Sequence, residues 1–173
     1  MSGALYPSLK NRLVVVTGGG SGIGAGFTEA FARQGARVVF LDIAEPDSRM
    51  VEAALADLSP APRFQLCDLT NIAALQETLA AIVANHGPID VLINNAANDD
   101  RHALAEVTPA YWDDRINVNL RHLYFAAQAV APGMRERGRG VIINLGSISW
   151  HLGLPDLSLY ETAKAGIEGM TRA

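Results

Sequence analysis

The stretch "RLVVVTGGGSGIG", residues 12–24, joins an apolar β-branched run to a glycine cluster. Val14, Val15 and Val16 favour an extended, buried strand. "AGFTEAFARQG" (25–35) then puts Phe27 and Phe31 on one helical face, with Gly35 at the C-cap. A strand, a glycine turn and a helix in that order open a βαβ unit. Gly18, Gly22 and Gly24 stand in G-x-x-x-G-x-G spacing. Side chains there would hold a pyrophosphate away from the helix N-terminus, so the loop reads as a nucleotide-binding turn.

Outward from this unit the same alternation continues. "ARVVFLD" (36–42) is a second strand, and Pro46–Asp47 opens a helix to about Leu58. "RFQLC" (63–67) is a third strand, followed by an amphipathic helix from Asn71 to His86 that Gly87–Pro88 ends. "DVLINNAA" (90–97) is a fourth. Thr108 and Pro109 start a helical region to about Arg137, where Pro132 is expected to kink or interrupt it. "GVIINLG" (140–146) is a fifth strand, and a loop leads to a last helix. Apolar strands alternating with helices predict an α/β, doubly wound parallel sheet in one domain, residues 1–173. Right-handed crossovers give the order 3-2-1-4-5, with the ligand crevice between strands 1 and 4.

Composition narrows the function. The 173 residues carry a formal charge of −4, which argues against nucleic acid. Arg135, Arg137 and Arg139 read as a solvated helix end. A single cysteine, Cys67, excludes an internal disulfide and suits a cytoplasmic protein. No apolar run reaches membrane-spanning length, and the four histidines lack ligand spacing, so no metal is expected.

Asp42 ends the second strand 18 positions beyond Gly24, where a carboxylate can accept from an adenosine ribose; a turn or cap role is the alternative. With Ile43 beside it and no cation in the glycine loop, a 2′-phosphate would meet repulsion. NAD is expected rather than NADP. Asp68 reads equally as an adenine contact or a turn residue. Asn94–Asn95 reads as a site pair rather than a plain turn. Tyr160 and Lys164 lie four residues apart, on one helical face, and Lys164 is one of only two lysines. A phenol ordinarily holds its proton to about pH 10, and a neighbouring ammonium favours the phenolate a base requires. Ser147, after the fifth strand, can hydrogen-bond a substrate oxygen.

Together "TGGGSGIG", "NNAA", "INVNL", "NLGSIS" and "YETAK", in that order, resemble the short-chain dehydrogenases/reductases along essentially the whole chain. The resemblance implies a catalytic set of Asn119, Ser147, Tyr160 and Lys164, Asn119 anchoring a water in a proton relay with the lysine. It implies cofactor contacts from Gly18, Ser21, Gly22, Ile23, Gly24, Asp42, Ile43, Asp68, Leu69, Asn95, Ala96, Tyr160 and Lys164. Ala97 and Gly146 depart from the usual pattern without removing a catalytic group. "YPSLK" (6–10), "NDDRH" (98–102), "INVNLRH" (116–122) and "GSISWHLGL" (146–154) resemble the aldose-oxidising members. That likeness implies oxidation of the anomeric hydroxyl of a cyclic aldose, D-xylose or similar, to a lactone. Asn98, Asp99, Ser147, Trp150 and Tyr160 would contact the sugar; the alternative is that Trp150 packs under a loop further along the chain and Asn98–Asp99 cap a turn. A homo-oligomer, dimer or tetramer, is implied as well.

The family continues beyond a tyrosine helix of this kind with further strands and a substrate lid. The chain is therefore expected to be C-terminally truncated, leaving the fifth strand at an edge. Two alternatives stand beside the aldose enzyme. One is a fragment that binds nucleotide or dimerises without turnover; the other is a 3-oxoacyl or steroid reductase, which Asp42 disfavours.

Overall fold

A computed structural model describes residues 4–173. Five strands, β1 (Leu13–Thr17), β2 (Arg37–Asp42), β3 (Arg63–Leu66), β4 (Val91–Asn94) and β5 (Val141–Asn144), form one sheet. Its order is β3-β2-β1-β4-β5 and every pairing is parallel, the order expected from the sequence. The helices are α1 (Gly22–Arg33), α2 (Glu45–Ala54), α3 (Ile72–His86), α4 (Pro109–Ile116), α5 (His122–Glu136), α6 (Ser149–Leu152) and α7 (Ser158–Arg172).

The strands' two-residue period divides the core between the sheet's faces. Leu13, Val15, Val39, Leu41 and Leu92 pack on Leu75, Leu79 and Ile82 of α3 and on Ala126, Val130 and Met134 of α5. Val14, Val16, Val38, Phe40 and Ile93 pack on the other face against Ala32, with Phe27 and Phe31 of α1 and Val51 of α2 alongside. β1 is buried throughout because both its faces are covered. β5 lies at the sheet edge, with Val141 and Ile143 exposed.

Several local expectations change. α2 ends at Ala54, short of Leu58, and the 147–157 loop contains the short helix α6. Pro132 does not interrupt its helix: α5 runs through it from His122 to Glu136. The irregularity falls earlier, at Asn117–Arg121, a π-helical turn between α4 and α5. Near a helix end the carbonyl that proline leaves without a donor lies close to water. Arg137 and Arg139 are not merely solvated. Arg137 donates to the Ile89 carbonyl at 2.7 Å and Arg139 lies 3.8 Å from Asp90, tying the end of α5 to the start of β4.

Candidate active site

The crevice between the carboxyl ends of β1 and β4 is a groove of about 480 Å³. All the residues expected at a nucleotide line it, from Gly18 and Ser21 to Tyr160 and Lys164. The glycine loop turns tightly: Gly18 has φ +64° and its amide donates to the Leu41 carbonyl at 2.7 Å. A Cβ on Gly24 would collide with the Gly18 carbonyl, so these two glycines let loop and helix touch. Gly22 differs. A Cβ there meets nothing within 4 Å. It opens α1, whose N-cap Ser21 makes no side-chain cap bond, so the first-turn amides face an open space lined by the groove. A helix N-terminus with no side chain over it suits a pyrophosphate.

Asp42 organises this loop as well as lining the groove. Its Oδ2 accepts from the Gly20 amide at 2.9 Å and its Oδ1 from the Ala44 amide at 3.0 Å. The turn reading is thus met, in a carboxylate that also borders the groove. Asp68 accepts from the Thr70 amide and hydroxyl at 2.9 and 2.7 Å, a local turn at the groove wall. Asn94 and Asn95 separate in role. Asn94 is buried and donates to Asn144 Oδ1 at 2.9 Å, so it ties β4 to β5 and not to a ligand. Asn95 lines the groove, and its amide group donates to the Thr17 and Gly18 carbonyls, both at 3.0 Å.

Lys164 reaches the groove from α7. Its ammonium donates to the Leu145 carbonyl at 2.7 Å and lies 5.4 Å from the Tyr160 ring centre. Only 3% of Lys164 is exposed, and burial pulls its pKa down from 10.5 to about 8. Asn119 does not line the groove. Its side chain is fully buried and brackets Asn98, accepting from the Asn98 amide at 2.8 Å and donating to its carbonyl at 2.9 Å. The π-helical turn carries Asn119, and His122 directly follows that turn.

Ser147 and Trp150 are not in the groove. They line a second hollow beside β5 that meets the groove at Lys164. Ser147 Oγ is 2.9 Å from Ser149 Oγ, and the Trp150 ring lies against His151 with centroids 3.6 Å apart. Hence the expected grouping of Ser147 with Tyr160 is only partly met, since Lys164 borders both spaces. Asn98 lines the groove, while Asp99 is exposed beside it and does not. Val118, Leu145 and Cys67 also line it, though nothing in their spacing marked them. Burial pushes the Cys67 thiol up, so it is a wall rather than a nucleophile. Among the described residues no cluster could hold a metal ion, and no helix is long and apolar enough to cross a membrane.

Residues 12–173 match the family described as short chain dehydrogenase. The chain belongs to that family. Over its full length it is 66% identical to D-xylose 1-dehydrogenase of Caulobacter vibrioides, covering 68% of that protein. It is 51% identical to a probable galactose dehydrogenase of Rhizobium meliloti, over 97% of this chain and 66% of that one. Among solved structures, a metagenomic short-chain oxidoreductase in complex with NADP superposes with a TM-score of 0.88 at 34% identity, covering 94% of this chain and 74% of that one. The chain thus spans about two thirds of these curated relatives. As a family member it is an oxidoreductase that uses a nicotinamide nucleotide, and the open helix N-terminus above Gly22 fits such a group.

One buried group in this wall escaped the sequence reading. His122 is fully buried; its Nε2 lies 3.2 Å from the Ala96 carbonyl and its Nδ1 has no partner among the described residues. Nε2 therefore carries the proton and donates to that carbonyl. Burial pushes the pKa down from 6.5 to about 4. An unfolded chain takes up this proton near 6.5 and the folded chain only near 4, so the unfolded state binds more protons in that window. Stability from neutral His122 is complete above pH 6.5 and lost as pH falls to about 4. The loss attributable to it is about 3 kcal/mol. His122→Gln should flatten the urea-unfolding free energy across this window relative to the parent. Equal pH slopes in the two proteins would show that His122 does not drive the acid transition.

Proposed function

We propose that the chain is an NAD-dependent aldose dehydrogenase that oxidises the anomeric hydroxyl of D-xylose or a similar cyclic sugar to the lactone. One observation carries the reading: Tyr160 and Lys164 line the same groove as the open glycine loop, Asp42 and Asn98. The named relatives support a sugar as substrate.

In this reading the Gly22–Gly24 amides hold the pyrophosphate, Asp42 holds the adenosine ribose, and Asp68 and Leu69 border the adenine. Tyr160 takes the proton of the anomeric hydroxyl. The Lys164 ammonium stabilises the phenolate and reaches the nicotinamide ribose. Asn98, with Asp99 and Trp150, contacts ring hydroxyls. Ser147 orients the reacting oxygen, which requires its hydroxyl to turn from Ser149 toward the groove. The Asn119 side chain is already committed to Asn98, which leaves its backbone to anchor the water relay. A bound nicotinamide would supply the acceptor for the hydride lost from the sugar C1. A cyclic hemiacetal that loses both becomes a lactone. A cytoplasmic, homo-oligomeric protein belongs to the same proposal.

The test measures reduction of NAD and NADP with D-xylose, L-arabinose, D-galactose and a 3-oxoacyl thioester in the reverse direction. Aldose oxidation with NAD should exceed that with NADP by at least about tenfold, since like charges brought together at Asp42 cost several kcal/mol. Asp42→Ala should narrow that ratio by weakening NAD and relieving NADP. Preference for NADP in the parent, or reduction of the thioester alone, would overturn the assignment.

A further inference from the structure

The loop after β4, which carries Asn98, meets the start of the helix that carries Tyr160, and His102 stands at the junction. The His102 amide donates to the Asp156 carbonyl at 2.9 Å and Arg101 to the Pro155 carbonyl at 3.1 Å. His102 Nε2 lies 3.0 Å from Ser158 Oγ, 56 residues further along the chain and two before Tyr160. α7 has no cap of its own: Leu157 occupies the N-cap and provides no side-chain bond. Asp156 sits at φ +64°, a left-handed conformation aspartate tolerates, with its carbonyl on the His102 amide. The start of this helix is thus fixed from outside, by the 100–102 segment.

The ring's hydrogen bonds are directional. Nδ1 lies 3.2 Å from the Asp100 carbonyl and 3.3 Å from the Tyr111 hydroxyl. That hydroxyl donates to Asp100 Oδ2 at 3.0 Å, so its oxygen is left to accept. Both neighbours of Nδ1 are then acceptors, and Nδ1 carries the proton. Nε2 is the acceptor, and Ser158 donates to it. Arg115 lies over the Tyr111 ring, 5.3 Å from its centre, and holds this support on α4. His102 is 9% exposed, so water competes little for these bonds.

We propose that His102 is a positioning residue that sets Tyr160 against the Asn98 loop by accepting a hydrogen bond from the Ser158 hydroxyl at the first turn of α7. The proposal rests on the catalytic reading of Tyr160 given above. A rigid clasp matters because misplacing a reacting group by about 1 Å can cost on the order of a hundredfold in rate.

Two replacements separate the ring's two bonds. His102→Gln reaches the Nε2 position and can still accept from Ser158; His102→Asn reaches only the Nδ1 position and leaves Ser158 alone. With D-xylose and NAD, His102→Asn and Ser158→Ala should each lower kcat about ten- to a hundredfold, with the KM for NAD within about twofold of the parent. His102→Gln should recover most of the rate. The double variant His102→Asn/Ser158→Ala should be no worse than either single one, as for two ends of one bond. Unchanged kcat in His102→Asn, a His102→Gln as poor as His102→Asn, or parallel loss of NADH binding would overturn the clasp. Amide exchange gives a readout independent of turnover. His102→Asn should speed exchange across 158–161 more than tenfold and leave α1 unchanged. Absence of aldose oxidation in the parent would defeat the functional reading alone, while unchanged exchange at 158–161 would defeat the clasp alone.

Discussion

Lys164→Met is expected to cut aldose oxidation by orders of magnitude while leaving the fold about as stable as the parent. The parent lysine is 3% exposed, and burial holds its pKa near 8 instead of 10.5. Below pH 8 the folded and unfolded chains both carry the proton, so the folded chain bears the whole penalty of a buried ammonium. The penalty is relieved as pH rises from about 8 to 10.5, which makes stability increase across that window. Its size is on the order of 2–3 kcal/mol after allowance for the open groove beside it. Against this, methionine forfeits the charge-assisted bond to the Leu145 carbonyl, worth about 1.5–3 kcal/mol. The two effects nearly cancel. Activity should fall by about 10²–10⁴, the usual scale for removing a participant in proton transfer. Thermal melts at neutral pH and initial rates with NAD and D-xylose check both halves. A melt several degrees below the parent would refute the burial argument, and retained turnover would refute the catalytic one.

Gly24→Ala is expected to cost both stability and nucleotide binding. The new methyl group would sit inside the Gly18 carbonyl oxygen and 2.6 Å from Asn95 Nδ2. Neither neighbour can yield easily. The Gly18 amide is bonded to the Leu41 carbonyl, and Asn95 clamps the consecutive Thr17 and Gly18 carbonyls. Overpacking of a fixed contact costs about 1–3 kcal/mol, and here the obstacle is backbone, which favours the upper end. NADH affinity should fall at least about a hundredfold as the loop is displaced from α1. Gly22→Ala is the control. Its methyl group meets nothing, and the cost is confined to the left-handed φ of +49° and to space in the groove. Urea unfolding and NADH fluorescence titration separate the pair. Gly24→Ala unfolding at the parent's midpoint would contradict this account of the loop.

The sheet order was legible because it follows from features local in sequence. Apolar runs such as "LVVV" and "VLIN" bound their strands, and alternation with helices fixes parallel order and handedness. The glycine loop and Asp42 were legible for the same reason, each being the terminus of a strand. The contacts of Asn119 and His102 were not. The Asn119 partner is the backbone of Asn98, 21 residues away, and the His102 partner lies 56 residues away. Spacing carries no trace of such contacts. Pro132 misled because proline is costly in the middle of a helix but cheap near an exposed end. Asn94 misled because an amide pair looks alike whether it binds a ligand or, as Asn94 does, a neighbouring strand. Ser147 was placed correctly in the chain order, yet its hydroxyl faces Ser149, a choice made by the side chains of the 147–150 loop.

The π-helical turn has a consequence for how the Pro109–Glu136 rod tolerates change. An α-helix advances about 100° per residue, and a wide turn absorbs about one extra residue in nearly the same rotation. On the near side, Tyr111 and Arg115 present themselves to the Asp100 segment. On the far side, Leu123, Ala126 and Val130 present themselves to the core. Loss of one residue within Asn117–Arg121 would let the turn tighten to α geometry with both halves facing as they do, whereas a loss in α4 or α5 with the turn left wide would swing one half by roughly 100° against the other. Either the core seam or the clasp would then face the wrong way. Residue count is therefore constrained more tightly in α4 and α5 than within the turn that joins them.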